Sequence, residues 1–358
     1  MANERLTKVL RNMEAMGLKQ LVVSSPHSVA YLTGKKVAPG ERMLALLIRD
    51  TGDMTLFANR LFALKPFEGA ELVEYSDTDD CVGVLASRVA PGALGVDKDW
   101  PCRFALPLIE RRRDVEVSLG SRVVDDARMI KTRDEVDRMR QSSRLNDRAI
   151  EGAIRRVAPG ATENDVADAY RRAAAELGAE GESFSSLICF GENCAEPHHD
   201  TDGTVLAEGD SVILDVGLLL NGYCSDMTRT VFYGNPSDEA KRVYDVVLEA
   251  NRAGRAAVRP GVPLRDVDAA ARRVIEDAGY GRYFIHRTGH GIGLEVHEFP
   301  DVSRASDAVC QPGMIFSVEP GVYLPGRFGV RIEDLVAVTE DGCETLNEKS
   351  REMRVIPC

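Results

Sequence analysis

The sequence predicts an α/β N-terminal domain followed by an α+β domain built from two similar halves. In the N-terminal third, short apolar runs alternate with helical patterns, which is typical of an α/β domain. Residues 157–178 and 258–279 align with each other without gaps, so the second part of the chain contains an internal repeat. Residues 210–234 read as a β-hairpin with two acidic residues among apolar neighbours.

The N-terminal part begins with a helix and continues with strands. Residues 4–16 carry apolar side chains at helical spacing and end at Gly17. Further helical patterns occupy residues 79–89 and 103–112. The predicted strands are residues 21–24, 43–48, 54–58, 70–75 and 93–96.

The periodicity changes at Arg133, where a longer helical pattern begins. Apolar residues recur at helical spacing from there until Pro159 and Gly160 stop the helix. We therefore divide the chain into an N-terminal α/β domain at residues 1–130 and a second domain at residues 131–358.

The two copies of the repeat lie 101 residues apart and are identical at nine of 22 positions. Each copy follows a helix and contains a Pro-Gly turn and a second helix. Strands and histidines come after each copy. Five of the six histidines belong to this domain: His198, His199, His286, His290 and His297. The two halves are therefore expected to face each other across a shared cleft.

The hairpin has Asn221 and Gly222 between its two apolar runs, and this pair best tolerates two successive positive φ angles. In that register Asp215 faces Thr228 on the other strand. Asp226 is then the diagonal neighbour of Asp215, on the same face of the hairpin. The two Cα atoms are then roughly 7 to 8 Å apart. Two half-buried carboxylates at that distance repel each other unless a cation lies between them.

The segment HRTGHGIGLEVH at residues 286–297 presents His290 between glycines. Those glycines argue against a zinc-binding helix, and no helix follows that could complete a phosphate-binding loop. We expect the glycines to let the backbone pass close to a ligand.

Two further acids, Glu319 and Glu333, also lie in apolar strand contexts. Four carboxylates carry a charge of −4, which two divalent cations cancel. Oxygen ligands with one imidazole favour Mn²⁺, our first candidate, or Co²⁺, Fe²⁺ or Zn²⁺. A pair of such ions can activate water and polarise a carbonyl or phosphoryl oxygen.

The order of these residues closely resembles the pita-bread metallopeptidases, which include methionine aminopeptidase, aminopeptidase P and prolidase. The motifs are Asp215, Asp226, TGHGIGLEVHE around His290, SVEPG around Glu319 and GVRIED around Glu333. The resemblance implies a pita-bread catalytic domain with an internal pseudo-two-fold repeat. It extends to the N-terminal domain, because aminopeptidase P and prolidase also carry an α/β domain there.

The resemblance also implies roles for individual residues. His198 and His297 would hydrogen-bond the substrate and the tetrahedral intermediate, and Glu319 would handle the proton of the attacking water. Arg331 would orient the acid cluster. The implied ligands of the two metals are Asp215, Asp226, His290, Glu319 and Glu333, with Asp226 and Glu333 bridging.

Composition narrows the partners. The net charge of −12 argues against nucleic acid, and no apolar stretch of about 18 residues predicts a membrane span. The eight cysteines form no CxxC pair and are expected to be reduced thiols. From composition we expect a cytoplasmic protein with a small-molecule or peptide partner. The resemblance implies a homodimer that acts on short proline-containing peptides.

The function that these features favour is a metal-dependent exopeptidase that cleaves before proline. One alternative is creatinase-like hydrolysis of a C–N bond in a non-peptide substrate, although creatinase-type members lack the metal ligands. A non-catalytic binding module would also have lost ligands, and methionine aminopeptidase has no need of the N-terminal domain.

Prolidase and aminopeptidase P remain open within that function. Some prolidases place an arginine shortly after the HExP-type run, where it suits the C-terminal carboxylate of a dipeptide. Here Asp301 follows Pro300, and Arg304 comes three residues later. The sequence departs from the dipeptidase pattern at this point.

Overall fold

The structure, a computed structural model, describes residues 2–358. It divides into two units, the first ending at Arg128 and the second comprising Met129–Cys358. None of the helices within the described residues is both long and apolar enough to cross a membrane. None of the eight cysteines, which all lie within the described residues, forms a disulfide.

The first unit is an α/β structure around a six-stranded sheet of order β4-β3-β2-β1-β5-β6. Its helices are α1 (Ala2–Ala15), α2 (Pro26–Thr33), α3 (Cys81–Ala86), α4 (Cys102–Arg111) and α5 (Arg122–Met129). Its strands are β1 (Gln20–Val23), β2 (Ala45–Arg49), β3 (Met54–Asn59), β4 (Glu71–Tyr75), β5 (Gly92–Val96) and β6 (Val115–Leu119).

All the predicted strands and helices of this unit are present, while α2, α5 and β6 were not predicted. Val115 is the one buried residue of the edge strand β6, so the strand shows little of the apolar pattern that reveals a strand. Helix α2 is short and begins with Pro26, and its ends depend on Ser25 and on Gly34, whose φ is 70°. Such short elements are set by their caps rather than by periodicity.

The second unit contains the predicted repeat as two pairs of helices. They are α6 (Arg133–Arg156), α7 (Glu163–Glu176), α8 (Asp238–Ala257) and α9 (Leu264–Asp277). The bounds of α7 and α9 differ by the same 101 residues as the sequence copies, and so do the last residues of α6 and α8. A capping box between Thr132 and Glu135 begins the long helix.

Over the described residues 129–358, the second unit contains fourteen strands, and each of its halves has a three-strand antiparallel core. The strands are β7 (Gly181–Glu182), β8 (Leu187–Phe190), β9 (Ser211–Val216), β10 (Leu218–Leu220), β11 (Tyr223–Cys224), β12 (Met227–Tyr233), β13 (Gly289–Gly291), β14 (Glu298–Val302), β15 (Ile315–Val318), β16 (Gly321–Leu324), β17 (Phe328–Arg331), β18 (Asp334–Val338), β19 (Cys343–Thr345) and β20 (Arg354–Ile356). The cores β12-β9-β8 and β13-β15-β18 belong to a four-stranded and a five-stranded sheet. Strands β10, β11 and β7 form a third sheet, and β16 pairs with β17.

The hairpin has the predicted register but bends in the middle. Leu220 pairs with Tyr223 and Asp215 with Thr228, and the φ angles of Asn221 and Gly222 are 52° and 78°. At Gly217 a Cβ atom would collide with the Ser183 hydroxyl and the Ser225 carbonyl. At this glycine the chain leaves the sheet of β8, β9 and β12, and β10 at the hairpin tip pairs with β7 instead.

A buried asparagine ties the long helix of each half to the strand that carries an acid. On α6, Asn146 Nδ2 donates to Val216 O at 2.8 Å, one residue after Asp215. On α8, Asn251 Nδ2 donates to Val318 O at 3.0 Å, one residue before Glu319. Both asparagines are fully buried, so these hydrogen bonds fix the strand ends in a low-dielectric core.

Candidate metal centre

The hairpin contributes two of the four acids. Asp215 lies on β9 and Asp226 immediately precedes β12, and both side chains are nearly buried. One oxygen of each carboxylate, Oδ1, is buried without a hydrogen-bond partner within the described residues. The predicted register therefore does bring both acids to the same cavity.

The second half contributes His290 on β13, next to these acids. Its Nδ1 lies 3.1 Å from Gly291 O, so Nδ1 carries the proton and Nε2 presents a lone pair. Nε2 is 3.7 Å from Asp226 Oδ2 and 3.4 Å from Glu319 Oε1. Burial, with a smaller effect from His297, lowers the pKa of His290 to about 3, so the imidazole is neutral.

Glu319 and Glu333 complete the acid cluster from the ends of β15 and β17. Glu319 Oε1 accepts a hydrogen bond from Ser317 Oγ at 3.1 Å. Glu333 Oε2 accepts one from Thr228 Oγ1 at 2.7 Å, while its Oε1 is buried and unpartnered within the described residues. Ligand atoms of Asp226, His290 and Glu333 all lie within 4.8 Å of one another.

The electrostatics of this cluster call for cations. Burial and then Asp215 raise the pKa of Asp226 well above its ordinary value, and burial and then Asp226 do the same for Glu333. Burial raises the pKa of Glu319 to about 7. Lone pairs face lone pairs here, and carboxylate oxygens lack donors. Hard or borderline divalent cations fit this donor set of oxygens and one imidazole.

Arg331 is the guanidinium that binds the cluster. Its Nη2 donates to Asp215 Oδ2 at 2.6 Å, and its Nε donates to Thr228 Oγ1 at 3.1 Å. Its Nη1 donates to Tyr323 OH at 2.9 Å and to Pro197 O at 3.5 Å. Arg331 is only 4% exposed, which excludes a solvated surface ion pair.

A cavity of about 610 Å³ opens onto the acids and is lined by four histidines. They are His198, His286, His290 and His297. The ring of His297 meets that of His290 edge-on, with centroids 4.3 Å apart, and His198 is exposed. His199, the fifth histidine of this unit, is not among the residues that line the cavity.

The glycines around His290 are needed for packing within the protein. A Cβ atom at Gly289 would collide with the Ser317 carbonyl, and one at Gly291 would lie 2.5 Å from Phe299 O. A Cβ atom at Gly293 would lie 2.8 Å from the Glu298 carboxylate. Close approach of other parts of the chain therefore explains these glycines, and a close approach of ligand stays a prediction.

Two protein-family models match this chain. Residues 137–340 match the model of metallopeptidase family M24, and residues 5–130 match the creatinase/prolidase N-terminal domain. The chain belongs to metallopeptidase family M24. It is therefore a metal-dependent peptidase, and the resemblance drawn from its motifs is confirmed.

Individual M24 relatives match along their whole length. An uncharacterized peptidase of Staphylococcus haemolyticus is 37% identical, with 96% of this chain and 97% of the relative covered. The crystal structure of a recombinant prolidase from Thermococcus sibiricus matches with a TM-score of 0.94 at 34% identity, covering 99% of both chains. The dipeptidase PepE of Mycobacterium ulcerans matches with a TM-score of 0.94 at 36% identity, covering 100% of this chain and 98% of its own.

These matches confirm the predicted fold class of this M24 peptidase. It has an α/β N-terminal domain and an α+β pita-bread catalytic domain with an internal pseudo-two-fold repeat. The cluster at the cleft lies where the two three-strand cores meet, because Asp215 and Asp226 come from one core and His290 and Glu319 from the other.

Several residues that shape the M24 site were missed from the sequence. Glu163 is buried at the start of α7, and both its oxygens accept hydrogen bonds, from Phe190 N at 2.8 Å and from His199 Nε2 at 3.1 Å among others. Glu163, His199 and Asp202 could geometrically hold a metal. The carboxylate oxygens in the cleft lack hydrogen-bond donors, whereas both oxygens of Glu163 accept hydrogen bonds from the protein. Glu163 therefore holds the loop between β8 and β9 in place.

Tyr323, the hydrogen-bond partner of His286, was also missed. The Tyr323 hydroxyl accepts from Arg331 and lies 2.8 Å from His286 Nε2. Burial and then Arg331 lower the pKa of His286 to about 4, so it accepts the hydroxyl proton as a neutral ring. The repeat placed His286 near the cleft, whereas nothing in the pattern around Tyr323 distinguishes it from a core residue.

Proposed function

We propose that this M24 peptidase is a dinuclear-metal exopeptidase that hydrolyses peptide bonds preceding proline. One observation carries the proposal. Buried carboxylate oxygens without donors face a neutral imidazole at the wall of a cavity that His198 and His297 also line. Such an arrangement is costly unless cations occupy it.

The metals would be held by the acid cluster and its imidazole. The residues that would hold them are Asp215, Asp226, His290, Glu319 and Glu333. When bound, two divalent cations supply Lewis-acid polarisation and activation of water. Arg331 and Thr228 hold carboxylates of the cluster through the hydrogen bonds described above, so the ligands are already oriented in the absence of substrate.

The remaining chemistry belongs to side chains of this chain. Glu319 takes the proton of the attacking water on a carboxylate oxygen and returns it to the proline nitrogen as the C–N bond breaks. His198 and His297 donate hydrogen bonds to the substrate and to the negative charge that develops on the carbonyl oxygen. The proton that the water loses is thus the one that the leaving imino group gains.

The choice of proline rests on the cavity and on the relatives. Phe184, Leu187 and Val296 give the cavity apolar wall beside the acids, which suits a pyrrolidine ring. The two structural relatives described above are a prolidase and a dipeptidase. A volume of about 610 Å³ also suits a short peptide rather than a protein chain.

A panel of peptides tests this function. Metal-loaded protein is given Ala-Pro, Ala-Pro-Ala and Ala-Ala-Ala, and products are separated by chromatography. We expect cleavage of the Ala-Pro bond at least about tenfold faster than of the Ala-Ala bond, a typical selectivity for one well-filled pocket. Equal rates on all three, or no cleavage of either proline peptide, would contradict the proposal.

Three wider expectations belong to the same proposal. Mn²⁺ is the proposed working metal, the cytoplasm the proposed location, and a homodimer the proposed assembly. Metal analysis of protein purified without added metal, cell fractionation and analytical ultracentrifugation test them separately.

A further inference from the structure

The second copy of the repeat carries a buried acid where the first copy has an alanine. Asp268 and Ala167 occupy corresponding positions, 101 residues apart. Both residues are buried, and Asp268 has no exposed surface. A carboxylate at a position that fits alanine costs free energy unless partners satisfy it. The second half must therefore supply partners that the first half does not need.

Arg272 is the charged partner of Asp268, and it also differs from its counterpart in the repeat. Its Nε and Nη2 each donate to the Asp268 carboxylate at 2.9 Å, and Arg272 is only 8% exposed. Arg171, at the corresponding position of the first copy, is exposed and pairs with Asp168. The two copies thus share an arginine that lies on the surface in one half and in the core in the other.

The buried pair holds the backbone of the segment just before β13. Arg272 Nη1 donates to Phe284 O at 3.0 Å, and Arg272 Nη2 donates to His286 O at 2.9 Å. The Asp268 carboxylate also accepts a hydrogen bond from Thr288 Oγ1 at 2.7 Å. Hydrogen bonds to ionised groups are the stronger kind, so three residues of this segment are fixed firmly to helix α9.

The ring of His286 is placed by the same contacts. Phe284 meets this ring edge-on with centroids 5.1 Å apart, and the Arg272 guanidinium lies 4.0 Å from the centre of the Phe284 ring. His286 Nδ1 lies 2.6 Å from Arg287 O, so Nδ1 donates there. Nε2 is then left to accept the proton of the Tyr323 hydroxyl.

From Tyr323 the contacts continue to the acid cluster. The Tyr323 hydroxyl accepts from Arg331 Nη1 at 2.9 Å, and Arg331 Nη2 donates to Asp215 Oδ2 at 2.6 Å. Because the hydroxyl gives its proton to His286, its oxygen lone pairs are free to face Arg331. Displacing the His286 ring removes this constraint on the hydroxyl, and with it one of the contacts that orient Arg331.

We propose that Arg272, held by Asp268, is a positioning residue for the metal centre and acts through the ring of His286. The pair fixes that ring, and the ring sets the direction of the Tyr323 hydroxyl. The result is a ligand set that is oriented before the cations bind. This inference rests on the proposed function, in which the acid cluster holds two cations. Neither member of the pair is among the residues that line the cavity, so both act through other side chains.

The test uses the repeat as its own control. Arg272→Lys keeps the charge beside Asp268 but loses the planar fork that reaches the backbone carbonyls. Arg171→Lys makes the same change at the corresponding exposed position. Calorimetry measures Mn²⁺ binding to chelator-treated protein, and Ala-Pro hydrolysis gives kcat. We expect Arg272→Lys to weaken Mn²⁺ binding and lower kcat by about tenfold each, the lower end of the range for residues that support metal ligands. Arg171→Lys should match wild type.

A double-mutant cycle with His286→Ala separates positioning from a general structural role. Because the proposed effect passes through the His286 ring, Arg272→Lys should change kcat by less than about twofold once that ring is gone. Equal losses with and without the ring would overturn the inference. A loss in Arg171→Lys as large as that in Arg272→Lys would do the same.

The remaining outcomes separate this inference from the proposed function. If circular dichroism shows that Arg272→Lys does not fold, Asp268→Asn replaces it in the cycle, because the amide keeps one acceptor oxygen for Arg272. The same dependence on the His286 ring is then expected. A folded variant of the pair with wild-type Mn²⁺ affinity and kcat would overturn the inference and leave the function standing. If wild type neither binds Mn²⁺ nor cleaves Ala-Pro, the proposed function fails and the inference with it.

Discussion

The Asp226 carboxylate has one oxygen without a donor and the other 3.7 Å from the lone pair of a neutral imidazole. This contact is unfavourable in the protein alone, and a cation between the groups converts it into coordination. An amide in the same place has no charge and only one acceptor oxygen. Its N–H group can donate a hydrogen bond to the imidazole without any cation between them.

Asp226→Asn should therefore keep the fold but lose one metal and nearly all turnover. Metal analysis beside circular dichroism measures both effects, and Asp341→Asn on an exposed turn is the matched control. A folded Asp226→Asn protein with two metals and the wild-type rate would show that the dinuclear site had been misassigned.

His198 and His297 belong to the cavity wall rather than to the acid cluster. If they stabilise the transition state, replacing either with alanine should lower kcat by about 10²-fold while both metals stay bound, as for loss of an oxyanion donor. His27→Ala in the N-terminal unit is the control and should change neither quantity. Loss of metal in His198→Ala or His297→Ala would instead identify that histidine as a ligand.

At the scale of residues, the sequence predicted what depends on local register. Asn221 and Gly222 determine the strand pairing that brings Asp215 and Asp226 to one cavity, because the length of a two-residue turn sets which residues pair. It could not predict Thr228 as a bridge between Arg331 and Glu333, or Asn146 as a support for β9. These contacts join positions 70 to 105 residues apart in the chain. Hydroxyl and amide side chains carry no pattern that reveals such a distant partner.

At the scale of elements, the loop between β8 and β9 is held on both sides of His198. Arg331 Nη1 donates to Pro197 O at 3.5 Å, and His199 Nε2 is 3.1 Å from the buried Glu163. Within residues 2–358, no side chain holds His198 in this way and His198 is exposed, so its position depends on its two neighbours.

His199→Ala should consequently act through His198. We expect a loss of roughly tenfold in kcat in the wild-type background, from misplacement of one donor, and little further loss when His198 is already alanine. A double-mutant cycle of kcat measures the coupling. An equal loss in both backgrounds would mean that His199 has only a general structural role.

The C-terminal segment is joined to the catalytic sheets through Asp334. This fully buried acid accepts from Arg229 Nη2 at 2.8 Å and from Arg351 Nε at 2.6 Å. Burial opposes its ionisation, but Arg229 and Arg351 hold its pKa below the ordinary value. Removing its charge leaves guanidinium groups buried without a counter-ion.

Asp334→Asn should lower the free energy of unfolding by about 3–5 kcal/mol, as when one partner of a buried pair is lost. Chemical denaturation of metal-free protein isolates this effect from metal binding at the adjacent Glu333. Glu352→Gln breaks the exposed pair with Arg252 and should change stability by less than about 1 kcal/mol. Similar losses in the two variants would contradict the importance of burial.

The elements themselves were predictable where periodicity is strong. The long helix at Arg133 and the strands of the first sheet are long or apolar enough to be recognised. The edge strand β6 and the short helix α2 are held by caps and by neighbours, so their own sequences say little. The glycines near His290 were noticed, but which surface approaches them depends on how β15 and β14 pack.

At the scale of the whole molecule, the internal repeat was the most informative feature of the sequence. Nine identities over 22 residues predicted two similar halves, and the helices α7 and α9 reproduce the same 101-residue offset. The cleft follows from that symmetry, because each half delivers its acids from the ends of corresponding strands. The boundary at residues 130/131 stays a prediction about independently folding domains.

The central claim is that the four carboxylates and His290 hold two divalent cations on which hydrolysis depends. The direct measurement is a titration of chelator-treated protein with Mn²⁺, following hydrolysis of Ala-Pro and thermal unfolding at each step. We predict no hydrolysis and a lowered Tm without metal, because the acids repel each other, with both recovering as two ions bind per chain. Full hydrolysis by metal-free protein would contradict the claim.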